Sequence, residues 1–246
     1  GAADGHDVLV ATDITPRREL ERQQELTVAM LTHDLKTPLT ALGGVLSLLE
    51  DTETSTSAER HRLYDAGTRN VQRMLALIGD MLELHQLRRG HAQIHLQPIR
   101  PRELVQEVVR GLAPAADEAG VSLTCGRLDE GTIVADPQRL QQVVENLCSN
   151  ALRYAGKGAT ATVDVVATAD ALQIAVSDNG PGIPEAIQPI LFKPFQIRSV
   201  GHKPHPNSTG LGLATAKLLV EQMGGTLRLA HTGPDGTRFS ITFPRA

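Results

Sequence analysis

"ADPQRLQQVVENLCSNALRYA", residues 135–155, reads as one capped helix with two different faces. Asp136 followed by Pro137 makes an N-cap and N1 pair, since the carboxylate accepts orphan N–H groups and the proline brings none. At about 100° per residue, Leu140, Val143, Val144, Leu147 and Ala151 share one apolar arc. Asn146, Asn150 and Arg153 form a polar stripe beside it, with Tyr154 at the edge of that stripe. Asparagine is a middling helix former, so a pair at i, i+4 invites a ligand. Amide oxygens ligate Mg²⁺ and a guanidinium meets phosphate. A plain solvated face is the competing reading.

Outward from this helix the texture is mixed α/β. Strand-like pieces fall at 94–97, 121–125, 132–135, 160–168, 171–177, 226–230 and 237–243, and helical pieces near 101–116, 137–155 and 211–223. The adjacent segments 160–168 and 171–177 predict an antiparallel hairpin. A doubly wound parallel sheet is therefore excluded in favour of a mixed sheet with helices on one face.

Three further stretches carry candidate chemistry. In "VSDNGPGIP" (176–184) Asp178 ends an alternating strand, where its carboxylate can accept from an exocyclic amine, and Gly180 and Gly182 let backbone approach a flat ligand. An ordinary tight turn is the alternative. "LFKPFQIRSVGHKPHPNSTG" (191–210) places Phe192 and Phe195 before a polar, aperiodic loop of the kind that covers active sites. In "STGLGLATAKLLVEQMGG" (208–225), Gly210, Leu211 and Gly212 open an amphipathic helix whose free N–H groups suit an anion. No Walker-type loop occurs, and no strand leads into these glycines as a dinucleotide fold requires.

The first third is helical. From Val28 the apolar residues fall at 28, 31, 35, 39, 42, 46 and 49, a heptad seam spanning Pro38. A second helix, about Ala58 to Arg89, carries two apolar stripes: Leu63, Met74, Leu77, Met81, Leu84; and Val71, Leu75, Ile78, Leu82. One partner helix buries only one of them, so a hairpin paired with its own copy, a dimeric four-helix bundle, is expected. Within "MLTHDLKTPLTAL" (30–42), His33, Thr37 and Thr40 project directly away from the seam. Asp34 beside His33 can hold the Nδ1 proton and leave Nε2 as a nucleophile. A solvated surface histidine is the plain alternative.

Composition sets the outer bounds. The chain has 246 residues, 2% aromatics, no Trp and a net charge of −4, so its core is aliphatic and it offers no footprint for nucleic acid. Cys125 and Cys148 make neither a disulfide framework nor a metal spacing, which favours a reducing cytoplasm. No apolar run approaches a membrane span.

Taken in order, these stretches resemble the catalytic core of the sensor histidine kinases of bacterial two-component systems. "THDLKTPLT" is similar to the H-box of the dimerisation and phosphoacceptor (HisKA) domain. "ENLCSNALRYA", "DNGPGIP", "LFKPF" and "STGLGLATAKLL" are similar to the N, G1, F and G2 boxes of the ATP-binding (HATPase_c) domain. The resemblance implies a helical hairpin over 15–91, then an α/β sandwich of the GHKL (Bergerat) type over 92–246. The opening "VLVATDITPRRELE" resembles the tail of an upstream PAS-like sensor domain, residues 1–14, running into a signalling helix.

By that resemblance His33 is the phosphoacceptor, Asp34 the acid that orients it, and Thr37 the residue that aligns a hydrolytic water when such kinases act as phosphatases on their partner. Asn146 and Asn150 serve Mg²⁺ and the phosphates of ATP, Asp178 reads adenine, and Gly180 and Gly182 line the base pocket. Phe192 and Phe195 hinge the lid, and Gly210 and Gly212 hold phosphate. The partners implied are a second copy of the chain and the receiver domain of a response regulator. Asp34 stands where many members have glutamate, Ser208 replaces the usual first glycine of the G2 box, and Pro194 takes a position often basic. Gyrase-like ATPases share the nucleotide fold but place a water-activating glutamate where this chain has Asn146. Such an ATPase, or a dimeric scaffold that binds nucleotide without chemistry, are the alternatives.

Overall fold

The structure, a computed structural model, describes residues 32, 35–49, 56–90, 92–196 and 210–245. The 1–14 tail, His33 and Asp34, and Ser208 lie outside them. The chain divides into two compact units, Gly1–Met74 and Leu75–Ala246.

In the first unit, helix α1 covers 35–49 and is followed by the start of α2 (Ser57–Arg88). A reciprocal capping box sets the beginning of α2: Thr56 N–H donates to Glu59 Oε2 at 2.7 Å, and Glu59 N–H donates to Thr56 Oγ1 at 3.3 Å. The two helices meet at Gly67, where an added Cβ would lie 3.5 Å from both Leu42 and Val45. On α1 the covered stripe is Leu35, Pro38, Leu42, Val45 and Leu49, whereas Leu39 and Leu46 are exposed. Of the expected seam, Leu35, Leu42 and Leu49 are covered within one chain together with Pro38 and Val45, Leu39 and Leu46 are left open, and Val28 and Leu31 lie outside the described residues. Thr37 and Thr40 are exposed, as their helical phase requires. Along α2, Leu77 and Leu84 are buried, while Val71, Leu75, Ile78 and Leu82 all face solvent.

The last turns of α2 pack as part of the second unit. Leu84 and Leu87 are buried there, and Leu87 belongs to that unit's core. Glu83 accepts from Arg139 and from Gln142 Nε2, and Gln222 Nε2 donates to the Leu87 carbonyl at 2.7 Å.

The second unit continues with β1 (Gln97–Ile99), α3 (Pro101–Gly111), α4 (Ala113–Ala119), β2 (Ser122–Leu128), β3 (Ile133–Ala135) and α5 (Pro137–Tyr154). It ends with β4 (Thr160–Ala167), β5 (Ala171–Asp178), α6 (Gly212–Gln222), β6 (Thr226–Gly233) and β7 (Gly236–Pro244). Five strands form a mixed sheet in the order β2-β4-β5-β7-β6, with β2 parallel to β4 and all other pairs antiparallel. β1 and β3 make a separate antiparallel ribbon. Cross-strand register aligns Val163, Val176, Phe239 and Leu229 in one row and Val165, Ile174, Ile241 and Leu227 in the next. These rows join the core formed with α3, α5 and α6. Alternate positions such as Asp164, Ser177 and Arg238 lie on the other face, where Arg238 reaches Asp164 at 3.6 Å. The result is the two-layer α/β sandwich expected.

Two local departures have clear causes. The helix expected over 101–116 breaks at Leu112, since Pro114 enters the first turn of α4 and cannot continue α3. The strand expected at 94–97 forms instead at 97–99, because His95 N–H is already committed to Asp136 Oδ2 at 2.9 Å.

Asp136 is the anchor of α5. Burial opposes its ionisation, yet backbone N–H groups of His95, Arg139 and Gln138, with the charge of Arg139, hold its carboxyl below the usual range. A group depressed in this way stabilises the fold above its unfolded value and loses that contribution as pH falls through its folded one. Asp136→Ala should cost about 1–2 kcal/mol, read by urea unfolding at neutral pH, and the gap to wild type should narrow on acidification.

Candidate functional site

Helices α5 and α6, the end of β5 and the β6–β7 turn enclose a cavity of about 1120 Å³. The expected polar stripe of α5 lines it in full: Asn146, Asn150, Arg153 and Tyr154. Their shared helical phase delivers them to one wall while Leu140, Val144 and Cys148 turn into the core on the adjoining face.

Asp178 arrives by strand alternation. It follows Leu172, Ile174 and Val176 on the core-facing side of β5, in register with Ala161 on β4 and Thr237 on β7. A carboxylate therefore occupies a position otherwise reserved for aliphatic side chains. Burial raises its pKa, and N–H donors from Gly180 and Thr237 only partly offset this. Gly180 N–H reaches Asp178 Oδ1 at 2.9 Å.

The glycines divide by role. A Cβ on Gly212 would lie 2.2 Å from Asn146 Oδ1, so the first residue of α6 touches the Asn146 amide directly. Gly182, at φ +75°, approaches the Gly233 carbonyl so closely that a Cβ would sit 2.2 Å from it. Gly210 and Gly212 are on the wall, and Gly182 with them. Gly180 is not: it closes the turn against Ala155, whose Cα would be 2.7 Å from an added Cβ.

The other expected residues also separate. Phe195 lines the cavity, buried and at φ +62°, and its N–H donates to the Gly210 carbonyl at 3.2 Å. That bond joins Phe195 to the residue two places before α6. Phe192 lies off the wall, edge-on to Phe239 with ring centroids 6.3 Å apart and Lys217 Nζ 5.0 Å above its ring. Leu211 is fully buried beneath the start of α6 and is likewise not on the wall.

Several lining residues escaped the sequence reading, among them Thr237, Thr232, Thr215 and Ile183, and Asp80 and Glu83 of α2. Thr237 needed the β5–β7 register to place it beside Asp178. Ile183 N–H donates to Thr232 Oγ1 at 2.7 Å, which joins the turn after β5 to β6.

The donor set suits a polar ligand with an exocyclic amine and anionic groups. Asn146 Nδ2 is buried without a partner among the described residues, so one end of that amide awaits a further group. Among them no cluster of three His, Cys, Asp or Glu could hold a metal. A cation here would rest on the Asn146 and Asn150 amide oxygens and on oxygens of the ligand itself, which fits Mg²⁺ carried with a triphosphate.

Comparison with known proteins agrees with this geometry. Residues 135–246 match the family described as "Histidine kinase-, DNA gyrase B-, and HSP90-like ATPase", and residues 23–90 match the His Kinase A (phospho-acceptor) domain. The circadian input-output histidine kinase CikA of Synechococcus elongatus is 32% identical over 95% of this chain, which spans 34% of the length of CikA. Full-length ShkA, solved with AMPPNP, is 26% identical over 92% of this chain and 46% of its own, with a TM-score of 0.64. Histidine kinase ThkA, solved with the response regulator protein TrrA, shares the fold at a TM-score of 0.72 and 19% identity, over 96% of this chain and 68% of its own. With a phosphoacceptor domain followed by an ATPase-type domain on one polypeptide, the chain belongs to the histidine kinase family and carries its catalytic core.

Proposed function

We propose that this chain transfers the γ-phosphoryl group of ATP to its own His33 and then to an aspartate on a response regulator. The observation that carries the reading is the cavity itself, where Asn146, Asn150, Arg153 and a desolvated Asp178 converge and one buried amide group is left unpaired. Asp178 accepts from the adenine amine, and Arg153 and the N-terminus of α6 meet the phosphates. Asn146 and Asn150 would hold Mg²⁺, which when bound neutralises charge on the phosphate oxygens. In the transfer, His33 Nε2 forms a bond to the γ-phosphorus as the bond to the ADP oxygen breaks, and Asp34 takes the ring's Nδ1 proton. Thr37, exposed on α1, aligns a water that hydrolyses the phosphoryl group from the response regulator's aspartate when the chain acts as a phosphatase.

The partners follow the same reading. The outward stripe of Val71, Leu75, Ile78 and Leu82, with Leu39 and Leu46 of α1, suits a second copy of the chain. A receiver domain accepts the phosphoryl group, in line with the ThkA–TrrA complex. Residues 1–14 are the tail of an upstream PAS-like sensor domain, residues 15–91 form the phosphoacceptor hairpin and 92–246 the ATP-binding domain, working in the cytoplasm. Among the described residues no helix is long and apolar enough to cross a membrane.

Incubation with γ-labelled ATP and Mg²⁺ should leave acid-labile label on the wild type and none on His33→Ala or Asn150→Ala. Equal label on all three overturns the assignment, and free phosphate without labelled protein marks a gyrase-like ATPase instead. Gly212→Ala should push the Asn146 amide aside and weaken ATP binding by at least about tenfold, or ~1.4 kcal/mol, with a melting temperature close to wild type. Calorimetry and thermal unfolding of the same samples check both halves.

Acidification gives a third check. The raised Asp178 carboxyl protonates at a higher pH than an ordinary aspartate and then ceases to be a full acceptor. ATP affinity should fall as pH drops toward that raised value, and Asp178→Asn should lack this limb. The ratio of wild-type to variant affinity across a pH series cancels the titration of ATP itself.

A further inference from the structure

Three buried side-chain polar atoms lack any partner among the described residues: Asn146 Nδ2, Thr215 Oγ1 and Ser240 Oγ. Ser240 lies on β7 in register with Ala175 and Arg228, the face of the sheet turned away from the core helices. The other two both line the cavity. Thr215 is only 6% exposed, and solvent scarcely reaches its hydroxyl oxygen.

The fold gives this hydroxyl no task. A helical threonine ordinarily bonds back to the carbonyl four residues earlier. Here the Leu211 carbonyl receives the Thr215 N–H at 2.9 Å, and the side-chain oxygen has no partner among the described residues. Gly212, Leu213, Thr215, Ala216 and Leu219 are the α6 residues on the cavity, and Thr215 has the one polar side chain among them. Valine has the same shape and would avoid the cost of a buried, unmatched hydroxyl. One turn earlier on that face, Gly212 meets the Asn146 amide, so the two unpaired groups belong to neighbouring parts of one wall.

We infer that Thr215 is a nucleotide-contact residue, its hydroxyl completed by a hydrogen bond to the ligand that also completes Asn146. This assignment rests on the ATP-binding reading above and adds to it a contact on the second turn of α6, beyond the glycines that open the helix. Because the bond forms with bound nucleotide, its loss weakens affinity without loosening the empty fold.

The test is calorimetric titration of the full chain with Mg-ATP, for wild type, Thr215→Val, Thr215→Ala and Thr215→Ser, beside thermal unfolding without nucleotide. Both variants lacking the hydroxyl should bind roughly five- to tenfold more weakly, the scale of one neutral hydrogen bond. Thr215→Ser should stay within about twofold of wild type, and Thr215→Val should unfold at no lower temperature than wild type. Unchanged affinity in Thr215→Val, or an equal loss in Thr215→Ser, overturns the inference while leaving the ATP-binding reading intact. Failure of the wild type to bind ATP overturns both.

Discussion

The contact on which the site depends is the approach of the first residue of α6 to the Asn146 amide, so close that no side chain fits between them. Gly212 is therefore needed for space and not for a special backbone angle. With that contact made, α5 and α6 converge over the sheet at one end and leave an opening lined by amide, guanidinium and hydroxyl groups. The cost is polar atoms buried without partners, of about 1–3 kcal/mol each. Folding alone would remove such groups, and a ligand that pairs with them recovers the loss on binding.

The same logic explains the end of β5. Strand alternation carries an aspartate into a row whose other members on that strand are aliphatic, and the sheet tolerates it because two backbone N–H groups point at it. The carboxylate remains under-solvated, which raises its pKa and makes an incoming N–H donor more welcome. Gly180 closes the turn tightly enough to supply one of those donors.

Much of this was legible in the order of residues. The capped helix 137–154, the hairpin of β4 and β5, the α5 stripe and the wall glycines Gly182, Gly210 and Gly212 are matters of local spacing, and the structure keeps them. What escaped depends on contacts between distant segments. Thr237 reaches Asp178 only through the β5–β7 register, and Phe192 leaves the wall because Phe239, on β7, offers its ring an edge-to-face neighbour. The α1 seam is an apolar surface that periodicity names without saying which of its residues one chain covers by itself. Pro114 was readable as a breaker, but the helical pattern on either side concealed it.

The central claim is that bound nucleotide completes the polar wall of α5 and α6. Side-chain amide resonances of asparagine, followed by NMR as Mg-ATP is titrated into the chain, test it most directly. The account predicts that the Asn146 and Asn150 amides shift and saturate together, while Asn70 on α2 stays in place. Saturable shifts at other asparagines with Asn146 and Asn150 unmoved would contradict it.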